Sequence, residues 1–593
     1  MLKRPNRKYN KKQITGFFVM CFLTIALYAQ TPTGNFYLPL PPPVRLETPP
    51  LELPKKFLPA IPAVIPPKTP QPVVRPVLTP SPNEKNLVYL QNAQTLSFDQ
   101  KFNPDVQLLR GDVQFRQGNT LMYCDSAYFY QDSNSLDAFG NVRMVQGDTL
   151  FLYGDVLYYD GNTEMARMKY NVRMVNKKVV LTTDSLLFDR IKNVGYYTTG
   201  GKIVDSINTL TSLIGEYYPA KHFAIFQKYV KLTNPNFVLR SDTLQYDTET
   251  GVADIVGPSN MIYKQKTFIY STKGWYNTRN DQSQLLDRSI VKNDDGKILT
   301  GDTIFYDKRI GVGKAYHHIV ISDTTQNLKI YGNYGYLNDP KQYSFVTDSA
   351  KLVQIGDQDT LYLHADTLYT FKDSIYNQAK AYHHVRFYRT DFQGQCDSLF
   401  YTAKDSIMYL YKNPILWSDD QQMNGEDMAG YFKNKNIDYI RVLKNAFAVQ
   451  KFDSVHYNQL SGKELLAYFK NRALYKIFVS GNAQSIYYPL NKDSSLVGMN
   501  TTESGFITMY IKNKKIDKII LTPASNGILY PPDKIPQDQM TLKNFIWQPA
   551  IRPKNENDIF TYHSFEMNAN RERHVVKENV TTTGNKIEEK KKP

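Results

Sequence analysis

Asp125-Ser126-Ala127-Tyr128-Phe129 decides the fold because it returns along the chain. Close copies are Asp184-Ser185-Leu186-Leu187-Phe188, Asp242-Thr243-Leu244-Gln245-Tyr246, Asp302-Thr303-Ile304-Phe305-Tyr306 and Asp397-Ser398-Leu399-Phe400-Tyr401, with looser ones at Asp155, Asp366, Asp427 and Glu464. Counted from one acidic residue to the next, the intervals are 30, 29, 58, 60, 64, 31, 30 and 37, so the long gaps are close to two periods. A second signature fills the other half of the unit: Gly111-Asp112-Val113-Gln114-Phe115, Gly140-Asn141-Val142-Arg143-Met144 and Asn171-Val172-Arg173-Met174. Apolar residues fall at every second position, the period of a strand with one apolar face. Each unit of about 30 residues is two strands and two turns, and such a pair buries its apolar face only by stacking on its neighbours.

Composition agrees with strands. Among 593 residues are 44 Tyr and 31 Phe, with no long Ala/Leu/Glu-rich stretch to hold a helix. A repeat overrides the three or four domains that length alone suggests.

The ends read differently. Residues 1–29 resemble a secretory signal: Lys3, Arg4, Arg7, Lys8, Lys11 and Lys12 precede an apolar run from Ile14 to Leu27, and Leu27-Tyr28-Ala29 offers a cleavage end. That run is short for a membrane span, and Val19-Met20 before Cys21 lacks the small residue of a lipidation site. Residues 30–86 form a proline-rich linker: 17 of the 32 prolines lie between Pro32 and Pro82, which favours an extended spacer. The repeat body is expected over 87–530 and a polar, disordered tail over 531–593. Losing the six basic residues of the leader lowers the net charge from +16 to +10. A basic exported protein suits anionic lipid or polysaccharide, and export argues against nucleic acid.

The alternation of Gly140-Asn141-Val142 and Gly147-Asp148-Thr149-Leu150 with Ser241-Asp242-Thr243-Leu244-Gln245-Tyr246-Asp247 and Gly301-Asp302-Thr303-Ile304-Phe305-Tyr306-Asp307 resembles the repeat of the OstA-like family, the LptA-like and LptD N-terminal-domain-like proteins of lipopolysaccharide transport. The resemblance runs from about Leu87 to Leu521. It implies an extended β-jelly-roll, stacked end to end, with acyl chains in an apolar groove and other β-jelly-roll proteins of the transport system as partners. It further implies a periplasmic location, and leaves association with an outer-membrane partner open. About 14 units, the proline-rich leader and the polar tail set this chain apart from the short bridge proteins of the family.

The groove positions expected from the alternation are Val113, Phe115, Val142, Met144, Val172, Met174, Leu186, Phe188, Leu244, Tyr246, Ile304, Tyr306, Leu399 and Tyr401. Other constellations have simpler readings. Asp-Ser/Thr pairs lack the nonapeptide of calcium-binding rolls and suit strand-to-turn chemistry. Tyr316-His317-His318 and Tyr382-His383-His384 take the slot that Gly140-Asn141 holds elsewhere, and adjacent strand residues rarely chelate one ion. Cys124 and Cys396 both precede the Asp of a unit, about nine units apart, so free thiols are expected. No nucleophile elbow, metal helix or phosphate loop stands out, so neither catalysis, a metal nor a cofactor is expected. A lipid-holding groove is the leading reading, and a structural or adhesive β-solenoid with a closed core is the alternative.

Overall fold

The computed structural model describes residues 87–563 except 99–104, 357–358, 374–375, 434–435, 472, 492 and 513–514. The expected leader (1–29), the proline-rich linker (30–86) and residues 564–593 of the expected tail lie outside the described residues. Thirty-eight strands run from Tyr89–Asn92 to Asn526–Tyr530, with a few 3-10 turns and no α-helix among the described residues. The expected all-β class, an extended jelly-roll built of repeats, is what the chain adopts. The chain divides into two compact units, one holding residues 87–206 and 211–224, the other 207–210 and 225–563.

In the first unit, Val106–Gln117, Thr120–Tyr130, Ser135–Gln146, Leu150–Asp160, Met165–Asn176 and Val179–Asp189 each pair antiparallel with the next. Every ladder slips at the same level, for instance between Phe139 and Val142 and between Lys169 and Val172. At the slip, two consecutive residues have positive φ: Gly111 and Asp112 (79° and 45°), Gly140 and Asn141 (76° and 43°), Tyr170 and Asn171 (63° and 52°). Two residues oppose one across the ladder, which is a β-bulge, and a bulge bends its strand. Since the bends share one level, each strand becomes two arms and the sheet folds along a common corner. The arms face one another: the ring of Phe115 on one lies 5.4 Å from that of Phe129 on the other.

A carboxylate from the neighbouring strand clasps several of these corners. Asn141 Nδ2 donates to Asp125 (2.8 Å) and Asn171 Nδ2 to Asp155 (2.7 Å). The second unit repeats the device with other residues at positive φ: His317 and His318, His383 and His384, Lys444 and Asn445. There His318 Nδ1 meets Asp302 at 2.6 Å, His384 Nδ1 meets Asp366 at 2.9 Å, and Asn445 donates to Glu426 at 2.8 Å. The bond from His318 holds Asp302 below the usual carboxylate range. The aspartates of the repeat thus bind side chains at the corner.

The residue in the position before the slot that this acid occupies has its own task, whether or not an acid follows it. Thr183, Ser212, Ser241 and Ser271 each donate a hydroxyl to the carbonyl two residues on, at 2.7 to 3.3 Å. Cys396 does the same with its thiol at 3.4 Å, and Cys124 fills the equivalent slot. Both cysteines are buried and free.

The second unit departs from the expected tail. Residues 531–563 run back across the outer face of its sheet. Gln459 donates to Met540 O and accepts from Leu542 N, each at 2.8 Å; Gln422 donates to Ile546 O (2.9 Å) and accepts from Gln548 N (2.8 Å). Gln395 donates to His563 O at 2.6 Å. Trp417, Phe447 and Ile486 lie buried on this face, and Ile559 of the crossing segment is fully buried. The segment is therefore a strap held through its backbone, which explains why proline-rich, polar sequence with no alternation is nonetheless ordered. Beneath it Arg386 is wholly buried, donating to Gln395 at 2.9 Å with Asp558 of the strap 3.8 Å away.

Two outcomes follow from the corner. Exchanging His317-His318 for Gly-Asn should leave urea unfolding within about 0.5 kcal/mol of the parent, whereas Val-Val should cost roughly 2–4 kcal/mol, since each β-branched residue pays for a left-handed backbone. Burial pushes the Cys124 thiol up to about 12 and the Cys396 thiol higher still, so both stay protonated at pH 8. A thiol reagent at that pH should label neither in the folded protein and both in denaturant.

Candidate functional site: the jelly-roll interior

Alternation on bent strands generates four inward rows, two on each arm. The fourteen expected positions fall on these rows in order. Phe115, Met144 and Met174 lie toward the mouth on one arm, with Val113, Val142 and Val172 nearer its corner. Leu186, Leu244, Ile304 and Leu399 lie near the corner on the other arm, and Phe188, Tyr246, Tyr306 and Tyr401 toward its mouth. All are buried except Tyr306, which is half-buried.

In the first unit the interior is filled by the protein itself. The ladder Phe115, Met122, Met144, Leu152, Met174, Leu181 runs strand to strand with no side chain more than 1% exposed. Inward glycines make room for a large neighbour: a Cβ on Gly154 would strike Met168, and one on Gly215 would strike Tyr197. The mouth is laced by polar bonds between the arms. Gln117 donates to Gly161 O at 2.7 Å, Arg190 donates to Gln117 Oε1 at 2.9 Å and pairs with Glu164 at 3.2 Å, and Tyr159 bonds to Gln117. Burial pushes the Tyr159 phenol up to about 12, against the pull of Arg190, so it remains a donor. Farther along, Asn176 donates to Tyr217 Oη and to Pro219 O, each at 3.0 Å.

The second unit shows a different interior over four strands. The same mouthward row reads Met261, Ile269, Val291, Leu299, Ile321, Ile330. Met261 and Ile330 are 3% exposed at its ends, while the four residues between them are half-buried. On the facing arm the row Tyr246, Ala253, Tyr276 continues as Ser283, Tyr306, Gly313, Leu337. Tyr306 leans on Asp339, which accepts its hydroxyl at 2.9 Å; burial and that carboxylate together push its phenol up.

Position by position, the sequence placed the expected residues on the inward face, but it missed Ile269, Val291, Leu299 and Ile321. Ile319-Val320-Ile321 is a continuous apolar run in which parity is ambiguous; only the bulge at His317-His318 fixes that Ile319 and Ile321 face inward and Val320 does not. The histidine pairs sit in exposed corners, on outward carboxylates. Among the described residues no group of three or more His, Cys, Asp and Glu is placed to hold a metal ion. The site is an apolar-lined interior with a corner of hydroxyls at its base.

The comparisons with known proteins bear on the same region. No curated protein matches the chain. Residues 85–242, about a quarter of its length, match the family model described as OstA-like protein. That segment contains the corner clasps and the inward ladder of the first unit, and it is over residues 85–242 that the chain is similar to the OstA-like family.

Proposed function

We propose that this protein is a periplasmic carrier of lipopolysaccharide, or of a related acylated lipid, on its way to the outer membrane, holding acyl chains in the interior of the jelly-roll. The OstA-like match supports a lipid-transport family. The observation that carries the reading is the inward apolar row, repeated on every strand in the same chemistry. Each methylene of an acyl chain removed from water there contributes about 0.8 kcal/mol, and because successive rungs are alike a chain can slide without a deep trap. The basic charge of the chain, +10 once the six basic residues of the leader are removed from +16, favours an anionic headgroup. Other β-jelly-roll proteins of the same transport system are the natural partners, since both ends of the sheet present strand edges with apolar side chains, Leu96 and Phe98 at one and Ile528 and Leu529 at the other, all about half exposed.

A second reading has its own support. The fully filled interior of the first unit is what a structural β-solenoid with a closed core would show. The two diverge in what accompanies the protein. Purified in mild detergent from its native envelope and analysed by mass spectrometry, the carrier should bring acylated, phosphorylated lipid in near-stoichiometric amount. Lipid at background level, with the protein protease-accessible on intact cells, would favour the structural solenoid.

A further inference from the structure

The half-buried row in the second unit is one of three departures that coincide. The first is exposure: Ile269, Val291, Leu299 and Ile321 face inward and yet meet solvent. The second is the facing row, where the small residues Ser283 and Gly313 flank Tyr306 and Ser283 is half-buried; small residues farther along the same row, Ser344 and Thr370, are instead buried and bonded to each other at 2.7 Å. The third concerns inward glycines. In this same unit, a Cβ on Gly332, Gly394 or Gly425 would strike Val346, Phe387 or Val442. Gly301 and Gly313 have no such filler: the nearest atoms to a Cβ there are 3.5 and 3.4 Å away, ordinary contact distance. Neither has a positive φ that would demand glycine. Side-chain volume has been removed at these positions and nothing has moved in to replace it, which close-packed interiors do not normally tolerate.

The rim carries amines. Lys308 lies over the Tyr263 ring at 4.0 Å, and Tyr263 donates to Asp281 at 3.4 Å, so these side chains close one end of the gap. Lys297 stands on the other lip, at the start of the strand that carries Leu299. Burial lowers the pKa of both amines, a sign that each is partly stripped of water, even though Asp281 stands 4.0 Å from the Lys308 amine and Asp323 and Asp295 pull Lys297 the other way. Asp307, the acid next to Lys308, is already engaged by Gln282 at 2.6 Å and by the Arg309 amide at 3.0 Å.

We infer that the interior between Thr267–Ser271 and Val312–Asp323 is a side opening that admits one saturated acyl chain of an anionic amphiphile, with Lys297 and Lys308 meeting its headgroup. The strands carrying Ile269, Val291, Leu299 and Ile321 are three strand spacings across, roughly 14 Å, which is a mouth for a chain and too narrow for a folded partner. This rests on the carrier reading and adds where the chain passes between solvent and interior.

The test uses the full chain and tritiated hexadecyl phosphate, with hexadecanol as the uncharged comparison. Gly313→Val and Ser283→Leu each fill the gap and should weaken hexadecyl phosphate binding about tenfold or more, the loss of some two buried methylenes. Lys297→Gln with Lys308→Gln should weaken hexadecyl phosphate severalfold and leave hexadecanol unchanged. A p-benzoylphenylalanine placed at Leu299 should capture the bound probe, which keeps the test open if a filling variant does not fold. Probe that binds the parent tightly, escapes capture at Leu299 and ignores folded filling variants would overturn the side opening while leaving the carrier reading intact. Failure of the parent to bind either probe would overturn both.

Discussion

Everything in this molecule depends on one backbone constraint: two consecutive residues must take left-handed φ at the same level of alternate strands. A straight antiparallel sheet of this sequence would have one continuous apolar face with nothing to cover it. The two-for-one bulge bends each strand there, and the arms so formed cover each other. Left-handed backbone is costly for ordinary residues, so the corner needs compensation, and the carboxylate of the next strand provides it. Asp125 on Asn141, Asp302 on His318 and Asp366 on His384 are one interaction in three versions. Glycine followed by asparagine meets the demand with least strain, yet the slot also accepts Tyr170-Asn171, His317-His318 and Lys444-Asn445. A clasp that tolerates several residue types can be copied many times without preserving sequence.

That tolerance explains what could be read beforehand. The acid of the Asp-Ser/Thr signature and the Gly-Asn signature are the two sides of the clasp, so their period revealed the unit and the inward parity after each corner. The histidine pairs and cysteines then fell into place as versions of the same slots. What stayed hidden depends on spatial neighbours. Gln422 and Gln459 are ordinary polar residues in sequence, but each spends both ends of its amide on the backbone of the strap. Backbone recognition leaves no pattern in the recognised segment, so 531–563 reads as a tail although it is held along the sheet. Arg386, buried under it, was equally illegible.

The interior poses a sharper problem, because filled and unfilled stretches use the same alternation. Whether a row of Val, Leu and Ile is a core or a groove depends on what faces it, and that is decided by small residues whose neighbours come from other strands. Gly154 and Gly313 look alike in sequence. Around Gly154 the thioether of Met168 takes the space; around Gly313 the ring of Tyr306 stays at contact distance and is drawn by its hydroxyl toward Asp339. A glycine opposite a large side chain is a packing device, and a glycine without one is a deficit of volume.

The same repeat can therefore serve two ends within one chain. Where rings and thioethers interlock and polar bonds lace the mouth, as around Gln117, Tyr159 and Arg190, the interior gains stability from its own burial and has little to offer a ligand. Where Ser283, Gly301 and Gly313 withhold volume, apolar surface stays partly wet, and the stabilisation forgone is available to a ligand that covers it. Filling the gap at Ser283 or Gly313 would cost the protein nothing in corner geometry, since both lie toward the mouth, away from the bend. Its persistence in a fold whose corners are so widely clasped is the physical reason to regard the opening as a site and the filled interior as its support.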